Sequence, residues 1–235
     1  MSRIICFISI LFSLASNAQE ISGVELLEKT IAYHDSNNQW GTFQGTFKVV
    51  MQTPNASERL SSIAIDLPRE LFTLEVKKDD NSYAYVIDKD SCQISLNGEI
   101  DPSKEAIKEF RLTCERGNMF KNYYTYLYGL PMKLKDTGTQ IDPKVLKKSF
   151  KGKDYLVLKA TYDVEVGGDT WYFYFDPNTY AMEVYQFYHD EAKNDGEYIL
   201  LKGMEEINGI KMPQTRAWYY NKDDKYLGTD ILSKD

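Results

Sequence analysis

From Trp40 onward the apolar residues recur at every second position. Phe43, Gly45, Phe47, Val49 and Met51 share one face, while Thr42, Gln44, Thr46 and Lys48 share the other. A period of two commits a segment to extended backbone with one face buried. The same reading predicts strands at Arg59–Asp66, where Leu60, Ile63 and Ile65 carry the apolar signal, and at Leu71–Lys77, Tyr83–Ile87 and Cys92–Leu96. It resumes at Tyr155–Thr161, Thr170–Phe175, Glu183–Tyr188, Tyr198–Gly203 and Lys211–Tyr220, with a short last strand after Asn221–Lys225. Asn97-Gly98 and Asn208-Gly209 are two-residue hairpin signals, because both positions of a type I′ turn need positive φ. Such a run of short, turn-linked strands builds an antiparallel sheet.

Two helical stretches interrupt it. Ser22-Gly23-Val24-Glu25 reads as a capping box, followed by an apolar stripe of Val24, Leu27 and Ile31 with Leu26 alongside. The second stretch follows Asp101-Pro102, with Pro102 expected at the first helical position. Ala106, Ile107, Phe110 and Cys114 keep helical spacing there, Gly117 is expected to interrupt, and Asn122–Tyr128 to add a further turn. Lys133–Pro143 reads as a polar loop. The fold class expected is α+β, a large curved antiparallel sheet carrying an N-terminal helix and a helical insertion.

Residues 1–18 have the build of a secretory leader. Arg3 precedes an apolar run from Ile4 to Leu14, broken only by Ser9 and Ser13, and Ala15-Ser16-Asn17-Ala18 offers a cut after Ala18. The run is too short for a permanent bilayer span, which takes roughly 20 apolar residues. Export to the periplasm or beyond is expected, with residues 19–235 forming one domain that is not an integral membrane protein. The charge of −7 becomes −8 when Arg3 leaves (27 Lys and Arg against 35 Asp and Glu), and no basic block is present, which argues against nucleic acid as a partner. Cys6 belongs to the leader. Cys92 and Cys114 then form an even pair in a compartment where disulfides persist, so a bridge is expected, two buried thiols being the alternative.

Catalytic signatures are absent. The chain has no GxSxG, P-loop, HExxH or EF-hand pattern. Of its two His, His34 sits where a cation suits a helix end. His189 lies beside Asp190 and Glu191, a trio able in principle to bind a metal or work as an acid–base pair, but more ordinary as a solvated hairpin end. Glu197 starts a strand and its direction is open. No metal site and no cofactor are expected.

Aromatics make up 14% of the chain, including 18 Tyr. On one strand Trp171, Phe173 and Phe175 share a face and Tyr172 and Tyr174 the other. With Phe43, Phe47, Val49, Phe72 and Leu74, the first set would line an apolar site inside the sheet. The alternative is a filled core, which periodicity does not distinguish from a pocket.

The strings YLYGLPMKLKDTGT (126–139), WYFYFDP (171–177), FYHDE (187–191), GEYI (196–199), WYYN (218–221) and LGTD (227–230) carry a resemblance across nearly the whole mature chain. The chain resembles a family of uncharacterised secreted proteins from Bacteroidota, similar in architecture to the LolA/LolB-like lipoprotein carriers. In those carriers helices close a curved half-barrel around an apolar cavity. The resemblance implies non-catalytic binding of an apolar small molecule such as a lipid or acyl chain. Two other readings stay open: a scaffold that engages an envelope protein through its aromatic surface, and a hydrolase or metal-dependent enzyme around His189.

Overall fold

The computed structural model describes residues 20–234, so the expected leader lies outside the described residues. The first helix, α1, spans Gly23–His34 and opens with the predicted capping box: Ser22 Oγ accepts from the Glu25 amide at 3.3 Å, and the Glu25 carboxylate accepts from the Ser22 amide at 2.8 Å. Its buried stripe is Leu26, Leu27, Thr30, Ile31 and His34, whereas Val24 points outward. The stripe is therefore rotated by one position from the sequence reading.

Six strands follow: β1 (Gln44–Thr53), β2 (Ala56–Asp66), β3 (Leu71–Lys78), β4 (Asn81–Asp88), β5 (Ser91–Leu96) and the two-residue β6 (Glu99–Ile100). Asn97 and Gly98 have φ of 52° and 85°, as a type I′ hairpin requires. On β2 the face shared with Ile63 and Ile65 continues through Ser61 to Arg59, and Leu60 lies on the other face.

The helical insertion is two helices, α2 (Lys104–Phe110) and α3 (Cys114–Gly129). The break falls at Arg111, whose φ of 52° ends α2 in the left-handed conformation. Gly117 interrupts nothing. It sits inside α3 because a side chain there would meet the Tyr85 ring at 2.8 Å. Pro102 precedes the true caps, which are Ser103 for α2 and Thr113 for α3. The segment expected to be a polar loop holds a 3-10 turn at Met132–Lys135, with Met132 and Leu134 buried, and the short strand β7 (Thr139–Ile141).

The remaining strands are β8 (Leu146–Phe150), β9 (Lys153–Tyr162), β10 (Thr170–Phe175), β11 (Met182–Tyr188), β12 (Glu197–Ile207), β13 (Ile210–Tyr220) and β14 (Tyr226–Lys234). β14 is a full nine-residue strand rather than a short end piece, because it pairs on both sides, with β1 and β13. The fourteen strands of the described residues form one open antiparallel sheet in the order β6-β5-β4-β3-β2-β1-β14-β13-β12-β11-β10-β9-β7, with β8 pairing along β9 beside β7.

One face of this sheet, the inner face, is covered by α1 and α3. α3 lies over β3, β4 and β5 and reaches the far half of the sheet through Tyr123 and Tyr126, whose rings meet Trp218 and Trp171, while α1 packs on β9 and β13. A second, smaller cluster on the outer face joins Tyr155, Val157, Tyr172, Tyr174 and Val184, against which Phe150 of β8 packs. Cys92 on β5 and Cys114 at the start of α3 are disulfide-bonded, tying the helix to the sheet.

His34 ends α1 but is no exposed cation. It is fully buried, its Nδ1 lies 2.7 Å from the Lys211 carbonyl, and its Nε2 accepts from the Met182 amide at 3.0 Å. Accepting at Nε2 places the ring proton on Nδ1. Burial lowers the imidazole to about 4, so it is neutral and links α1 to β11 and β13.

Candidate ligand-binding site

The strand register decides which side chains meet on the inner face, since directly opposed residues of an antiparallel pair project to the same side. Phe47, Ile63, Leu74, Tyr85 and Ile94 form one such row across β1 to β5. Phe173, Tyr185, Ile199 and Trp218 form another across β10 to β13, and Trp171 pairs with Phe187 at the end of the same sheet face. Phe43, Phe47, Val49, Phe72, Leu74, Phe173 and Phe175 are all buried in a single core beneath the helices. Trp171 packs on that core while staying partly exposed, its ring stacked on Phe187 at 4.8 Å. The eight residues singled out in the sequence thus share one inner surface, and in this structure α1 and α3 fill the space above it.

α3 covers that surface with a nearly unbroken aromatic face. Phe120, Tyr123, Tyr124, Leu127 and Tyr128 recur at helical spacing and project toward the sheet. Tyr128 packs on Phe47 at 4.8 Å, Tyr124 on Phe72 at 6.4 Å, and Tyr123 is stacked with Trp218 at 6.5 Å. Only a few hydrogen bonds join helix to sheet, among them one from the Tyr124 hydroxyl to Ser61 Oγ at 3.1 Å.

A row of polar groups crosses the middle of the apolar surface. Register places Leu201, Arg216, Asp230, Met51 and Arg59 side by side on β12, β13, β14, β1 and β2. Arg216 is fully buried, donates to the carbonyls of Pro213 at 2.9 Å and Leu127 at 3.4 Å, and lies 3.9 Å over the Tyr128 ring. Burial opposes its charge, but Tyr128, Tyr185 and Asp230 outweigh that and hold it protonated. Burial raises the Asp230 carboxyl, and the two arginines pull it back. Tyr123 donates to Asp230 at 3.4 Å. The Nε atoms of Arg216 and Arg59 and the hydroxyls of Tyr128 and Tyr185 are buried without a hydrogen-bond partner.

Two openings reach this region. A slot of about 210 Å³ is walled by Met51, Tyr123, Trp218 and Leu227 together with the carboxyls of Glu197 and Asp230, so it touches two members of the polar row. A larger groove of about 670 Å³ runs between α3 and the β9–β10 end of the sheet, bounded by Lys121, Tyr126, Tyr162 and Trp171 among others. Tyr126 and Tyr162 meet there through their hydroxyls.

The row was not found in the sequence, although a signal existed. Arg216 and Asp230 occupy positions in phase with Met212 and Leu232, where the alternation demands apolar residues. His189 lies away from this surface's centre. It is exposed and bonded to Asp169 at 2.7 Å, which raises its imidazole, while Glu197 is half-buried opposite Phe187 and raised by burial. Among the described residues no group of three or more His, Cys, Asp or Glu is arranged to hold a metal ion, and no helix is long and apolar enough to cross a membrane.

The sequence model of a family of unknown function, DUF6503, matches residues 2–235. The chain belongs to this family. Among solved structures, this DUF6503 member is similar to a LolA superfamily protein from Nitrosomonas europaea, with a TM-score of 0.52 and 13% identity over 92% of this chain and 93% of that one. It is also similar to a DUF1329 family protein from Desulfovibrio piger, with a TM-score of 0.53 and 8% identity over 91% and 92%. No curated protein matches significantly. At such low identity the likeness shows the fold, and the DUF6503 chain has a LolA-like open sheet under helices.

Proposed function

We propose that this protein is a non-catalytic carrier or receptor for an apolar ligand, a lipid or acyl chain, held between the inner face of the sheet and α3. The observation that carries the reading is the cover itself. A broad aromatic sheet face is closed by one 16-residue helix through ring packing, with a slot already open beside it at Tyr123 and Trp218. Apolar contacts are non-directional, so a chain of methylene groups can replace them at little loss. The LolA-like fold supports the same reading. Export follows from the leader at residues 1–18, and residues 19–235 would be the working domain.

Native mass spectrometry of protein purified from its own host, followed by solvent extraction, tests this. A co-purifying lipid is the expected result. Delipidated protein that fails to bind N-phenyl-1-naphthylamine, together with a clean apo mass, would overturn it.

A further inference from the structure

The slot beside α3 carries ionisable groups of one sign. Two carboxyls line it, Glu197 and Asp230, and no basic side chain does. The two acids are not a pair. Glu197 lies beside Tyr220 and Asp230 beside Arg216, four residues along β13, so they stand about 13 Å apart along the strands and two strands apart across the sheet. Asp230 is buried, accepts from Tyr123 at 3.4 Å, and has the charges of Arg216 and Arg59 acting on it. Neither guanidinium reaches the slot.

Glu197 is in a different position. It is half-buried, burial raises its carboxyl with no hydrogen bond to offset that, and His189 is the one charge that acts on it. That imidazole is itself bonded to Asp169 at 2.7 Å and is also influenced by Asp195, so three carboxyls share one cation at this rim. Withdrawing a carboxylate from water without a bonded partner is costly, and its complement is a cation.

The rest of the slot suits the body of such a cation. Trp218 lies between the two acids along β13, with the Tyr123 ring stacked on it at 6.5 Å. Opposite Trp218, Gly228 brings no side chain; a Cβ there would meet the Gln52 carbonyl oxygen at 2.7 Å. The register shift after Trp218 leaves Leu227 without an opposite residue, and this bulged residue joins Met51 in the slot wall. Aromatic rings attract ammonium groups, and aliphatic walls accept methylenes. The volume of about 210 Å³ equals the share of about seven waters, which fits the end of one chain.

We propose that the slot is a subsite for the ammonium group of a single-chain amphiphile, with the Glu197 carboxylate as its counter-ion, Trp218 and Tyr123 as aromatic walls, and Leu227 and Met51 against its first methylenes. This rests on the reading of the interior as an apolar-ligand site and names the polar end of the ligand. Primary and quaternary ammonium share the required chemistry: a positive charge on an apolar body.

Titration calorimetry on the delipidated protein at pH 8 tests this, with octylammonium, octyltrimethylammonium, 1-octanol and octanoate as probes. At least one ammonium compound should bind about tenfold more tightly than octanol, and octanoate should bind no better than octanol. The tighter of the two cations tells a primary from a quaternary headgroup. Glu197→Gln, which removes a charge from a half-buried position and breaks no hydrogen bond, should bring cation and alcohol to within about twofold. Glu197→Lys should turn the preference toward octanoate. Equal binding of alcohol and cations, or an unchanged cation preference in Glu197→Gln, would overturn the subsite and leave the apolar-ligand reading standing. So would failure of every octyl compound to bind where N-phenyl-1-naphthylamine still does. If the naphthylamine also fails to bind, both readings fall.

Discussion

Acidification should destabilise this fold through one side chain before most carboxylates titrate. His34 is buried as a neutral ring between α1, β11 and β13, with a folded-state value of about 4 against 6.5 for a free imidazole. A lowered folded value means that the unfolded chain takes up the proton first. Stability is therefore complete above pH 6.5, falls as the pH drops through that value, and stops falling near pH 4, where the folded ring also protonates. The full separation corresponds to about 3 kcal/mol at 1.36 kcal/mol per unit, and at pH 5 about 2 kcal/mol should already be lost. Urea unfolding at pH 8 and pH 5 measures it, with His34→Gln as reference. The amide of Gln keeps an acceptor for Met182 and a donor for Lys211, yet does not titrate. Burial raises Asp230 and Glu197, which act in the opposite sense, but they are common to both proteins and cancel in the difference. The natural chain should lose about 2 kcal/mol more than the variant between the two pH values. Parallel losses would refute the neutral buried imidazole.

Three further outcomes can be checked by denaturation. Reducing the Cys92–Cys114 bridge, 22 residues apart in sequence, should lower stability by about 3 kcal/mol, seen as an earlier urea midpoint in dithiothreitol; a loss under about 1 kcal/mol would argue against the tether. Gly129→Ala should cost about 1–3 kcal/mol, because its Cβ would stand 2.2 Å from the Trp40 ring, and an unchanged midpoint would show that the ring moves freely aside. Tyr124→Phe should cost about 1 kcal/mol by removing the hydroxyl that donates to Ser61, and a neutral result would mean that this bond adds nothing to the hold of α3 on the sheet.

Strands were legible in the sequence because side-chain alternation is a local property. The hairpins at Asn97-Gly98 and Asn208-Gly209 were legible because two consecutive positive φ values select those residues. Misreadings came where a residue served a distant contact. Gly117 looks like a helix breaker but leaves room for Tyr85, which is 32 positions away in the chain. Arg111, which does end a helix, carries no breaker signal at all. The apolar residues singled out in the sequence fall on one inner surface because those on strands keep their strand's phase and Phe43 directly precedes β1. The polar row escaped because it exists only across five strands in register, so no single strand's pattern of residues displays it.

The margins of the sheet have a consequence of their own. Fourteen hydrogen-bonded strands would make a broad template for uncontrolled polymerisation if the outermost ones were long. Here one margin ends in β6, with two residues, and the other in the three-residue β7 and five-residue β8, which share the flank of β9. A neighbouring molecule would find little continuous backbone to extend at either border, so the protein can display a very wide sheet and still remain a poor seed for fibrils.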